Sequence, residues 1–187
     1  MKKLLFIIVC LTYSLNSFSQ DTGNDSYTIQ RLIIYNQEGD ILLEKHKNGW
    51  MTPALRHNTK ISIHNALYDL AATYGLKMST PKLAGMFVFI PEYKPKSSIR
   101  QHYKSNYLEG KLRVPEGKLD AQWFPVNKAI DMMSLPDTKF IFAIRDMTKQ
   151  LVLYPHTVWG GTFKLWKEND KTQYKIVDAF YPLISKK

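Results

Sequence analysis

The chain has 187 residues, with 26 lysines and arginines against 16 acids, a formal net charge of +10 and one cysteine. That length suffices for one domain with a sizeable core, and the charge favours anionic partners such as phosphates, nucleic acid or an anionic cell surface. A single cysteine excludes an internal disulfide framework and a multi-thiolate metal site.

Residues 1–19 read as a secretory signal peptide. Lys2 and Lys3 form a charged start, 4–11 is an apolar stretch too short to span a bilayer, and Ser17-Phe18-Ser19 offers small residues where a signal peptidase inspects. The mature chain then begins at Gln20, carries no cysteine, and is periplasmic or secreted. Cys10 gives an alternative, lipid attachment, but Val9 stands where a small side chain is wanted. Residues 20–27 read as a flexible leader, and no later stretch is long and apolar enough to cross a membrane.

Residues 27–35 are rich in β-branched and aromatic side chains and predict a strand; 36–40 is a turn and 41–44 the returning strand. In 62–75, Ile63, Ala66, Leu67, Leu70, Ala71 and Tyr74 recur at helical steps, with Ser62 as a cap and Gly75 as a left-handed stop. The apolar run 82–90 predicts a central strand buried on both faces. Strands are also predicted at 99–107 and 120–124, a short helix at 128–133, and a long helix after Asp137 with Phe140, Ile141, Ile144, Met147 and Leu151 inward. Beyond it, 162–167 and 173–177 form a hairpin turning at 168–170, before the Lys186-Lys187 tail. Gly160-Gly161 is a bend or close backbone approach, or, as the sharper reading, a phosphate loop.

The stretch 54–76, ALRHNTKISIHNALYDLAATYGL, resembles the Nudix box. The family pattern is Gly, five residues, Glu, seven residues, then Arg-Glu-apolar-x-Glu-Glu-x-Gly-apolar. Leu70, Gly75 and Leu76 hold the frame. Trp50-Met51-Thr52-Pro53 resembles the approach to the box, and Trp123-Phe124-Pro125-Val126 resembles a late segment of many Nudix domains. The resemblance covers roughly residues 28–152. It implies an α/β fold, an α/β/α sandwich with a mixed sheet, here as a domain over 28–155. The hairpin of 156–187 is then a C-terminal β-hairpin extension packed on it.

The resemblance also implies chemistry: carboxylates on one helical face hold magnesium or manganese, which bridges a diphosphate and activates water. The active letters differ here. Ala54 stands in place of glycine, Lys60 of the first glutamate, Tyr68 of arginine, Asp69 of the next glutamate, and Ala72 and Thr73 of the paired metal-binding glutamates. The sequence therefore reads as an exported Nudix-like protein with a degenerate box. Such a protein binds a phosphorylated or nucleoside-diphosphate-like ligand, or an envelope partner, with little or no pyrophosphohydrolysis. The alternative is an atypical hydrolase of diphosphate-linked compounds, with Mg or Mn held by carboxylates outside the box, for which Glu109, Glu116 and Asp120 are available.

Three groups of residues carry candidate chemistry. Asp69 is the acidic box position kept, a metal ligand with His57 or His64, or else a solvated helix residue. Arg56, His57 and Lys60 in the box loop, with Arg100, His102 and Lys104 alternating on one strand face, make a phosphate-binding set, or else an ordinary basic surface. Trp50, Tyr103, Tyr107, Trp123, Trp159 and Trp166 are core, cleft wall, or a stacking platform. No nucleophile elbow marks a serine, and no recognised module specifies nucleic acid.

Overall fold

The computed structural model describes residues 28–134 and 139–185. The signal-peptide and leader readings over 1–27, the Asp137 cap and the Lys186-Lys187 tail lie outside the described residues.

β1 (Thr28–Tyr35) carries Leu32, Ile33 and Ile34 in succession, all buried. Neighbouring strand side chains point to opposite faces, so both faces of β1 must be covered. Ile33 joins one apolar cluster, and Leu32 and Ile34 join another. β7 (Ser98–Gly110) runs parallel to β1, with Ile29 opposite Arg100 and Tyr35 opposite Asn106. Beyond β7 lie β6 (Lys82–Pro91), then β9 (Thr157–Glu168) parallel to it, then β10 (Lys171–Ser185) at the edge. On the other side of β1 come β2 (Ile41–His46) and β3 (Gly49–Met51). β4 (Ala54–His57) pairs with β1, β5 (Leu76–Met78) with β7, and β8 (Asp120–Phe124) with β2.

α1 (Ile63–Thr73) packs on one face of this mixed sheet, burying Ala66, Leu67 and Ala71 against Leu32, Ile34 and Leu42. Ser62 caps it, its Oγ accepting from the Asn65 amide at 3.1 Å, and Gly75 leaves it at φ 75°, as the sequence predicts. The other face takes α2 (Val126–Met132) and α3 (Lys139–Leu153), whose Ile141, Ile144, Met147 and Leu151 are buried with Phe87, Phe89 and Phe163. The expected α/β/α sandwich is the observed one.

Two details differ from the sequence expectation. The apolar run of β6 is buried on one face only: Phe87 and Phe89 are 0% and 2% exposed, Met86 and Ile90 38% and 42%. α1 lies over β1, β4 and β5, and among the described residues no helix packs over the same sheet face at β6, where Met86 and Ile90 stay exposed. The C-terminal hairpin, in turn, is built into the sheet, since β9 pairs with β6 from Gly85–Trp159 to Pro91–Leu165. Its turn uses Asn169 and Asp170 at φ 48° and 60°, the left-handed values a tight hairpin demands.

Gly160 and Gly161 are buried strand residues. A Cβ on Gly160 would come within 2.6 Å of the Tyr181 ring, and one on Gly161 would meet Phe180 and Phe87 at 3.3 Å. Close approach is therefore their role. Trp50 is core, edge-on to Phe124 at 5.1 Å, and Tyr107 meets Trp123 edge-on at 6.0 Å.

Candidate functional site

The four last carbonyls of a helix have no partner within it, and its dipole leaves that end negative. α1 has no basic residue in its own last turn. The stretch 111–118, between β7 and β8, supplies one. The Arg113 amide donates to Tyr74 O at 2.9 Å, its Nε to Thr73 O at 3.1 Å and its Nη2 to Ala72 O at 2.9 Å. The crossing is tight enough that a Cβ on Gly110 would strike Gly75 O, and Gly110 sits at φ 117°. A guanidinium thus lies across the carbonyls of Ala72 and Thr73 in the last turn of α1.

Between this stretch and the end of α1 lies an open groove of about 550 Å³, walled by Ala54, Leu70, Thr73, Tyr74, Val114 and Pro115, with Arg113, Glu116 and Lys118 on its lining. Tyr74 and Lys118 both reach one buried carboxylate, Glu44, which is 1% exposed. Lys118 Nζ lies 2.9 Å from Glu44 Oε2, Tyr74 donates to the same oxygen, and His46 Nε2 is 2.8 Å from Oε1. Burial alone would raise the Glu44 pKa. The hydrogen bonds from His46, Tyr74 and Lys118 outweigh it and hold the carboxyl below its usual value. The Tyr74 phenol is pushed up, first by burial and then by the Glu44 charge. Glu44 is therefore a fixed anion that orients Lys118 and Tyr74, with both its oxygens engaged.

Below the sheet's other face sits a second charged centre. Arg31 is buried, and its Nη1 donates to Thr52 O at 2.6 Å. Burial and then Arg100 pull its pKa down to about 10, against the attraction of Glu44.

The residues singled out in the sequence do not meet in one pocket. His57 and Lys60 stand at the entrance to α1, with His57 Nε2 2.9 Å from Ile61 O and Lys60 exposed. Arg56 and Arg100 flank Ile29 in register, on the α3 face of the sheet. Arg100 lies over the Phe89 ring at 4.7 Å, and Lys104 donates to Pro155 O. His102 is 0% exposed, edge-on to Phe87 at 5.2 Å, and among the described residues neither ring nitrogen has a hydrogen-bond partner. It is a core residue, held neutral by burial and by Arg31 and Arg100.

A hard dication needs several oxygen donors together. Asp69 is exposed on α1. Glu109 pairs with Lys77 at 2.5 Å, and Asp120 turns to its own strand, accepting from the Ala121 amide at 2.7 Å and Gln122 Nε2 at 2.6 Å. Glu116 alone of the three downstream acids lines the groove. Among the described residues no three His, Cys, Asp or Glu side chains converge. This donor set does not fit magnesium or manganese.

Glu44, Arg113 and Lys118 were not singled out from the sequence. Glu44 closes an ordinary apolar strand, and the two cations sit in a stretch that reads only as turns. The family frame pointed instead to the box loop and the strand after it, so no signal in the sequence led to these three.

Solved structures share this architecture. The crystal structure of a MutT mutator protein from Bacillus halodurans superposes with a TM-score of 0.63 at 18% identity, covering 81% of this chain and 98% of that one. A Nudix hydrolase from Nitrosomonas europaea gives 0.52 at 15%, covering 66% and 88%. An ADP-ribose pyrophosphatase from Streptococcus suis gives 0.52 at 12%, covering 75% and 98%. No family model matches the sequence, and no curated protein matches it. The chain thus has the fold of the Nudix and MutT-type hydrolases, and the resemblance read from the box holds at that level.

Proposed function

We propose that this protein binds a phosphorylated, nucleoside-diphosphate-like ligand in the groove at the end of α1, with little or no metal-dependent pyrophosphohydrolysis. The observation that carries the reading is the exchange of charge at that turn. Where the box pattern has glutamates there are Ala72 and Thr73, and the Arg113 guanidinium lies across their carbonyls with Lys118 on the same groove. Arginine and lysine bind phosphate oxygens directly, arginine through paired N–H donors. In this reading the ligand's charge is met by side chains rather than by a metal. Glu116 and the Glu44 anion behind Lys118 temper the field, which favours a ligand that also contacts Leu70, Val114 and Pro115.

Export belongs to the same proposal and rests on residues 1–19. It makes sugar-phosphate and envelope components as suitable as nucleotides. The alternative, an atypical hydrolase, requires carboxylates to gather around Asp69, and Glu109 and Asp120 are engaged elsewhere.

The test is a panel of diphosphate-linked nucleosides and sugars, beginning with ADP-ribose, given to the purified protein with Mg²⁺ or Mn²⁺ alongside Asp69→Ala. The proposal expects no turnover above background, together with a thermal shift from at least one compound that Arg113→Ala abolishes. Metal-dependent turnover lost in Asp69→Ala would overturn it.

A further inference from the structure

The half of the sheet that α1 leaves uncovered is apolar. Strand register puts Leu83, Met86, Val88 and Ile90 of β6 on that face, beside Ile99 of β7. Met86 pairs with Gly160, and Gly160 with Tyr181, so the Tyr181 ring extends the row onto β10, where Ile184 opposite Val158 continues it. The surface is exposed: Leu83 37%, Met86 38%, Ile90 42%, Ile99 42%, Tyr181 44% and Ile184 64%. Scattered apolar residues need no explanation, but a contiguous face does.

One end of this face is cationic. The β6–β7 hairpin brings Lys94 and Lys96, and the β9–β10 hairpin brings Lys167 and Lys171. On the face itself Lys164 pairs across from Lys175 beside Ile90. Glu92, Glu168, Asp170 and Asp178 stand nearby, Glu92 paired to Lys164 at 2.6 Å, so the lysines are in excess. A +10 chain repels a second copy of itself, and the same charge attracts an anionic surface. The edge strand is also poorly suited to pairing with another chain, because β10 is bulged between Ile176 and Asp178, Asp178 and Tyr181, and Pro182 and Ile184.

We infer that this face is a docking surface for an anionic lipid bilayer. Met86, Ile90, Ile99 and Ile184 enter the headgroup boundary, Tyr181 sits at its level, and the lysine end contacts the lipid phosphates. The inference is independent of the groove, which lies on the far half of the sheet.

Sedimentation with vesicles tests it, using phosphatidylcholine alone and an equimolar mixture of phosphatidylcholine and phosphatidylglycerol. The full chain is expected to bind the mixed vesicles and not the neutral ones, with binding weakened by salt. Ile90→Ser with Ile184→Ser should lower the partition constant roughly ten- to a hundredfold. Lys171→Glu with Lys175→Glu should lower it by about tenfold or more. Every variant keeps the same N-terminal residues, so their contribution is constant, and the replaced side chains are exposed, so an unchanged melting midpoint confirms the fold. Binding that ignores the isoleucine pair overturns the inference. So does a concentration-dependent dimer that the isoleucine pair dissociates without any vesicle binding, which would make the face a contact between copies.

Discussion

Replacing Glu44 by glutamine tests the charged centre under the groove. The side chain is 1% exposed and receives three donors, from Tyr74, Lys118 and His46. Glutamine keeps the shape but removes the charge and turns an N–H₂ toward one of those donors. Breaking a buried ion pair by removing one partner costs about 3–5 kcal/mol. At about 2–4 °C per kcal/mol for a chain of this size, the melting midpoint should fall on the order of 10 °C. The pH dependence fixes the cause. The Glu44 pKa is lower folded than its ordinary 4.5, so its stabilisation is complete above that value and is lost as pH falls through the folded value. Urea titrations should therefore show the gap between wild type and Glu44→Gln narrowing below about pH 4.5. A neutral-pH difference under about 1 kcal/mol would refute the reasoning, because a solvated carboxylate would cost no more than that.

His102 has a folded pKa well below 6.5, so the unfolded chain takes up its proton first and stability falls as pH drops below that value. His102→Leu should flatten the loss of melting midpoint between pH 7 and 5, and a variant as acid-sensitive as wild type would count against a buried neutral imidazole. Arg113→Ala should cost only about 0.5–1 kcal/mol, the worth of a cation at a helix C-terminus, while abolishing any ligand-induced thermal shift. Gly160→Ala should destabilise by about 1–3 kcal/mol through overpacking against Tyr181. Adding Tyr181→Ala should return part of that, and strictly additive losses would show that the ring is not what the glycine accommodates.

Alternation and helical spacing made most elements legible. 120–124 and the α1 frame from Ser62 to Gly75 emerged because their signals are local, a period of apolar residues closed by a cap or a turn. β3, β4 and β5 were not legible, being short strands defined by partners far along the chain. The face of a residue was legible, but not what covers it. Arg100, His102 and Lys104 do alternate on one face, yet that face turns toward α3, and only the tertiary packing shows that His102 lies in the core. β6 illustrates the same limit: nine apolar-rich residues look alike whether two faces are covered or one. Glu44 was invisible because Tyr74 and Lys118 are distant in sequence.

The parallel pairing of β9 with β6 also governs how the chain can fold. β6 pairs with β7 by a hairpin, a local event, but its other edge stays open until 157–168 has been made and has crossed over α3. Such non-local parallel pairing is slow to form, and in the interval an apolar strand edge is exposed. Pulse-labelled hydrogen exchange should show the β6 amides that face β9 protected last, together with those of β10. Removal of 157–185 should leave a species that aggregates through β6 rather than a trimmed, functional domain.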